Sequence, residues 1–191
     1  NNDTNLRLII DFGLSIDMSK LNSKNITDYF YIYAADYYIW SPEIHLISYL
    51  VQKRLDPNSV IIESELTRVA NKSVNNNKAL KIYSDNFINN FKQLTIQYFL
   101  TFENNTKKEI LEKLITPLIY KTWDNYALSI LYLRCFEYIF SNGFTNSPLL
   151  LGMSHILLEN INPVPSKRNS INETMEKINE LLKTKLSNDN L

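Results

Sequence analysis

The 191-residue chain has one cysteine, two histidines and three glycines, and no long unbroken apolar run. Each scarcity excludes something. A single cysteine, Cys135, excludes an intramolecular disulfide and any cysteine-cluster zinc site. His45 and His155 stand far apart, so each reads as an ordinary side chain rather than a metal ligand. Without a stretch of about 18 apolar residues no transmembrane helix is expected, and so no membrane partner. Charge of one sign is missing too: 20 basic and 20 acidic residues give a formal charge of zero. A general nucleic-acid binder needs a basic face, so no nucleic-acid partner is expected. The chain begins Asn1-Asn2-Asp3 without methionine, and no charged and apolar leader follows. Its start reads as cut or processed, and its location as cytoplasmic.

What is present is ample core material, 45% hydrophobic residues in a length suited to one domain or part of one. Asparagine occurs 25 times and creates five Asn-x-Ser/Thr sequons, which read as products of base composition. The most telling stretch is residues 6–15, LRLIIDFGLS. An apolar, β-branched run ending at a glycine reads as a short buried strand. It delivers the carboxylate of Asp11 to its end; Phe12 anchors that end, and Gly13 lets the backbone turn away. A carboxylate so placed suits a hard cation, since Mg²⁺ takes oxygen ligands and often only one or two from protein.

The rest reads as helices. Residues 29–40 are dense in aromatics without a clean period, either a loop with aromatic feet in the core or a peptide-binding ledge. Ser41-Pro42-Glu43 is a helix start: a cap, a proline at the first position and an acid at the positive end of the dipole. That helix should reach about Arg54. Residues 58–116 read as a helical insertion with no catalytic constellation. It holds a short helix over 64–72, a loop over 74–78, and a helix over about 84–102 with Phe87, Phe91, Leu94 and Tyr98 on one face. A capping box follows at Thr106–Glu109, with a Glu109–Lys113 pair behind it. Residues 123–140 are apolar on nearly every face and predict a central buried helix, with Asp124 at its positive end. Residues 148–160 form another apolar helix, ended by Asn162-Pro163-Val164-Pro165. A second capping box at Ser170–Glu173 opens a last helix whose stripe is Ile171, Met175, Ile178, Leu182 and Leu186. Arg168 reads on its own as a surface charge beside a helix start.

Asp11-Phe12-Gly13 followed after 27 residues by Ser41-Pro42-Glu43 resembles the activation segment of protein kinases, from Asp-Phe-Gly to Ala-Pro-Glu. Asp124-Asn125-Tyr126-Ala127-Leu128-Ser129 is similar to the family's Asp-x-Trp-Ser-x-Gly, with Tyr126 for the tryptophan and Ser129 for the glycine. Asn162-x-x-Pro165-x-x-Arg168 resembles the family's last arginine motif. The four signals stand in the family's order and look most like serine/threonine protein kinases of large DNA viruses, which would put the chain in host cytoplasm.

The resemblance implies a mainly α fold class, a protein-kinase-like C-lobe fragment built around the central helix, with a short β-strand at the N-terminus. Its parts would be residues 1–43 (metal-binding strand and activation segment), 44–57 (helix), 58–116 (insertion) and 117–186 (central and C-terminal helices). It implies ATP and magnesium as cofactors, with Asp11 on the metal and Ile10, Asp11, Phe12 and Gly13 beside the nucleotide. It implies a protein substrate received by Tyr37, Tyr38 and Trp40, an ion pair of Glu43 with Arg168, and Asp124 tethering the catalytic loop. The family's Gly-rich loop, its ATP-anchoring lysine and its catalytic base are absent, which implies a missing N-terminal half as partner. The chain alone would then be inactive. The alternatives are a pseudokinase and a helical interaction or scaffold module.

Overall fold

The computed structural model describes residues 15–143 and 147–188, with side chains through Thr184. The strand expected before Asp11, and with it Ile10, Asp11, Phe12 and Gly13, lies outside the described residues. The described residues are mainly helical. In order come α1 (Ile26–Tyr29), α2 (Pro42–Gln52), α3 (Glu63–Asn75), α4 (Asp85–Leu100), α5 (Lys107–Leu114), α6 (Pro117–Tyr120), α7 (Trp123–Ser141), α8 (Pro148–Asn160) and α9 (Ile171–Asn188). Short 3₁₀ turns lie at Lys78–Leu80 and Pro165–Lys167. Among the described residues, extended pairing is one isolated antiparallel bridge, Val60 with Thr106.

Two apolar clusters hold these elements. The first gathers round α2, whose Leu46, Ile47 and Leu50 are fully buried against Leu66, Val69 and Ala70 of α3, Phe99 of α4, and Ile110 and Leu114 of α5. The second is built on Tyr126, Ile130, Leu133 and Phe136 of α7, with Val74, Leu80, Phe91, Leu157 and Ile161. Helices α3 and α4 contribute to both, so the segment 58–116 is part of the packing of α2 and α7. Lys107 adds a polar tie: its Nζ donates to the Leu55 carbonyl beyond the end of α2, at 3.0 Å.

Several local expectations needed tertiary correction. Helix α2 stops at Gln52 rather than Arg54, because Arg54 takes a left-handed conformation (φ 50°). Helix α3 runs on to Asn75, into the first two residues of the expected loop, with Val74 buried in the second cluster. On α4 the buried line is Phe91, Thr95 and Phe99 rather than Phe87, Phe91, Leu94 and Tyr98. Thr95 can sit there because its hydroxyl donates to the Phe91 carbonyl at 2.8 Å. The Thr106 box forms, but Lys113 bonds Asn105 Oδ1 at 2.7 Å while Glu109 serves the cap. Ser41 makes no capping bond; Pro42 and the buried Glu43 start α2 without it.

Helix α7 also differs from the all-round burial expected of it. Its buried face is Trp123, Asn125, Tyr126, Ser129, Ile130, Leu133 and Phe136. The opposite face exposes Leu128 (53%), Leu131, Tyr132 and Tyr138 (75%). The apolar residues of the last helix likewise face outward at Ile171, Met175 and Leu182. Contact with α8 is made instead by Leu181, which fills the space where a Cβ on Gly152 would stand.

The two faces of α7 separate energetically. Ile130→Ala should lower unfolding free energy by about 2–5 kcal/mol. Leu131→Ala, on the uncovered face, should change it by about 0.5 kcal/mol or less. Urea unfolding of both variants measures the difference; equal losses would contradict the assignment of faces.

Candidate functional site

Glu43 and Arg168 are 125 residues apart in sequence and meet in the interior. Proline at the first position of α2 sets the helix start, so Glu43 falls in its first turn, favoured by the dipole. Arg168 follows the 3₁₀ turn Pro165–Lys167, where the chain turns from α8 into α9. The pair is bidentate, Nη2 to Oε1 at 2.7 Å and Nη1 to Oε2 at 3.1 Å, with both side chains wholly buried. The remaining guanidinium hydrogens are also used. Nε donates to the Asn162 carbonyl at 2.7 Å, Nη1 to Thr122 Oγ1 at 2.9 Å, and Nη2 to the Pro163 carbonyl at 3.3 Å. A guanidinium has five N–H donors, and here all are paired. The ring of Tyr126 lies 4.8 Å from Arg168 Cζ.

Asn125 and Ser129, one on each side of Tyr126, enter a buried polar network that sequence reasoning missed. Asn125 Nδ2 donates to the Asn169 carbonyl and to Thr174 Oγ1, both at 3.0 Å. Asn160 Nδ2 donates to Ser129 Oγ at 3.0 Å, and Asn160 Oδ1 accepts from Asn169 and Thr174 at 3.0 Å each. The network locks the start of α9 to α7 and α8. These asparagines were hidden among 25 by the chain's composition. The usable signal was that Asn125 and Ser129 lie one helical turn apart on the face that Tyr126 and Ile130 bury.

The aromatic stretch before α2 resolves into feet and a ledge. Phe30 is buried edge-on to Trp123, ring centroids 5.9 Å apart. Tyr37 and Trp40 pack edge to face, ring centroids 5.2 Å apart, and Trp40 and His45 do the same at 5.8 Å. Tyr37 and Trp40, with Trp123 and Asp124 at the start of α7, line a cavity of about 510 Å³. Tyr38 turns away from it, beneath Lys78 Nζ and against the second cluster. Two of the three ledge residues are thus brought together with Asp124, and the third is not. Asp124 is exposed at the cavity rim.

Buried side-chain polar atoms without partners include Ser41 Oγ before α2, His45 Nδ1 and Ser48 Oγ on α2, Trp123 Nε1 and Tyr98 Oη; of these residues Ser48 and Trp123 line the cavity. Burial pushes the Tyr98 hydroxyl well up, helped by the Glu43 charge. Burial likewise raises Tyr126, against the pull of Arg168. Burial lowers His45 from 6.5 to about 4, with Asp36 opposing weakly. Among the described residues no group of three or more His, Cys, Asp or Glu could hold a metal; Asp11 lies outside them. No helix among the described residues is long and apolar enough to cross a membrane.

His45 makes a pH dependence predictable. Its folded pKa of about 4 lies below the unfolded value of 6.5, so between them the unfolded chain binds a proton that the folded chain refuses. Stability from this group is therefore full above pH 6.5 and falls as pH drops towards about 4. The loss should be about 3 kcal/mol at most. Urea midpoints across this range should show a slope that His45→Gln reduces; an unchanged slope in the variant would contradict the assignment.

In comparisons with known proteins, no family model, no curated protein and no solved structure matches this chain.

Proposed function

We propose that this chain is the later part of a protein-kinase C-lobe, and that the protein it belongs to phosphorylates protein serine or threonine hydroxyls from ATP. The observation that carries the reading is the buried, fully bonded pair of Glu43 and Arg168. The family's order of motifs requires such a pair between the end of the activation segment and the turn before the last helix. Unrelated motifs scattered through a helical protein would have no reason to meet. Tyr126, in the position of the family's tryptophan, supports the same register by lying under Arg168.

In this reading Asp11 would hold a magnesium ion, which would supply neutralisation of phosphate charge during transfer. Ile10, Phe12 and Gly13 are the further residues that the resemblance would set beside the nucleotide. Tyr37 and Trp40 receive the protein substrate beside the acceptor hydroxyl, while Tyr38 supports the ledge from behind. Asp124 holds the catalytic loop supplied by the missing N-terminal half. The general base comes from that half, so the work left to this chain is positioning and charge stabilisation. The uncovered apolar face of α7 is the surface the missing half would cover.

Transfer of labelled γ-phosphate tests the proposal. The 191-residue chain alone should transfer none. A longer chain that includes the preceding catalytic loop should be active, and Asp11→Asn should lower its rate by roughly 10²-fold or more. Activity of the 191-residue chain alone, or transfer indifferent to Asp11→Asn, would overturn it.

A further inference from the structure

Residues 31–39 form neither helix nor strand. The amides of Tyr37, Tyr38 and Trp40 donate to the carbonyls of Ala34, Asp36 and Tyr37, which folds residues 34–40 into a run of tight turns. Bonds of this kind shape the run but do not fix where it stands. Among the described residues, one hydrogen bond joins residues 31–39 to another element: Asn76 Nδ2 donates to the Ala35 carbonyl at 2.9 Å. Asn76 directly follows α3, and Ala35 is buried. A ring contact flanks the bond on each side. Lys72 Nζ, one turn earlier on α3, lies 5.7 Å from the centre of the Tyr33 ring. Lys78 Nζ, in the 3₁₀ turn after α3, lies 5.8 Å from that of Tyr38. Residues 72, 76 and 78 thus meet residues 33, 35 and 38 in the same order.

We infer that the end of α3 and the 3₁₀ turn after it are the seat of the aromatic ledge, and that Asn76 is its positioning residue. In sequence this segment reads as part of an insertion with no catalytic constellation; its contacts give it a part in the site. That the ledge receives a protein substrate rests on the kinase reading above; that Asn76 holds the ledge rests on the contacts. Tyr37 links the two. Its amide bonds Ala34, its carbonyl accepts from Trp40, and its side chain is 40% exposed. A shift of Ala35 therefore carries Tyr37 and Trp40 with it. The ring contacts ask only for positive charge at Lys72 and Lys78. Asn76 is held to more: a carbonyl only accepts, so residue 76 must present a donor, and a carboxylate of the same shape would repel Ala35.

Amide hydrogen exchange of the 191-residue chain, read by mass spectrometry, tests the seat without ATP or substrate. Asn76→Asp should speed exchange over residues 34–40 about tenfold and leave that of α7 unchanged. Asn75→Asp sets the same charge at the same helix end on an exposed side chain, and should leave residues 34–40 within about twofold. Unchanged exchange over 34–40, an equal rise in the Asn75 variant, or an equal rise in α7 overturns the inference. In a longer, active chain with casein as the probe, Asn76→Asp should raise KM for casein about fivefold and leave kcat and KM for ATP within about twofold. A change in kcat or in KM for ATP as large as that in KM for casein overturns the positioning role. Failure of the exchange test leaves the phosphate-transfer assay untouched. Failure of that assay would remove the substrate from the ledge but not the seat at Asn76.

Discussion

The structure depends on one buried ion pair. Taking Glu43 and Arg168 out of water costs several kcal/mol per ion, and only good geometry with further hydrogen bonds offsets it. Here both carboxylate oxygens are engaged by the guanidinium, and Arg168 also bonds two carbonyls and one hydroxyl. Those partners lie in three places: the first turn of α2, the residue before α7, and the turn after α8. A lysine, with three donors on a single nitrogen, could not reach all of them in one geometry. The pair therefore acts less as a source of net stability than as a register for where three helices begin or end.

That register positions the candidate site. Fixing the first turn of α2 fixes the residues just before it, so Trp40 and Tyr37 stand opposite Trp123 and Asp124. Thr122, bonded to Arg168, precedes Trp123 directly, so the start of α7 is tied to the same point. Two parts of the cavity wall are thus referred to one guanidinium. The polar network of Asn125, Ser129, Asn160 and Thr174 extends the constraint to α9. Function in this account follows from the placement of ordinary aromatic and carboxylate side chains.

What could be read from residues alone was whatever a few neighbouring residues decide. Both capping boxes, at Thr106 and Ser170, form because each is closed by bonds three residues apart. The span of α8 matches its pattern for the same reason. Burial was harder to read, because it depends on what packs opposite. A stripe of apolar letters on α4 missed Thr95, whose hydroxyl is satisfied within its own helix. The apolar face of α7 at Leu128 and Tyr138 stays uncovered among the described residues, though composition alone called for burial. At long range, the pairing of Glu43 with Arg168 came from the resemblance to kinases, since no local pattern links residues 125 apart.

The measurement that bears most directly on this account is a double-mutant cycle on the pair, read by urea unfolding. Glu43→Gln and Arg168→Met should each cost about 3–5 kcal/mol, because each strands a polar or charged partner in the interior. The double variant should cost little more than either alone, which corresponds to a coupling of about 2 kcal/mol or more. Additive losses, with coupling under about 0.5 kcal/mol, would mean that the two residues do not depend on each other. The register on which the candidate site and its proposed function rest would then be wrong.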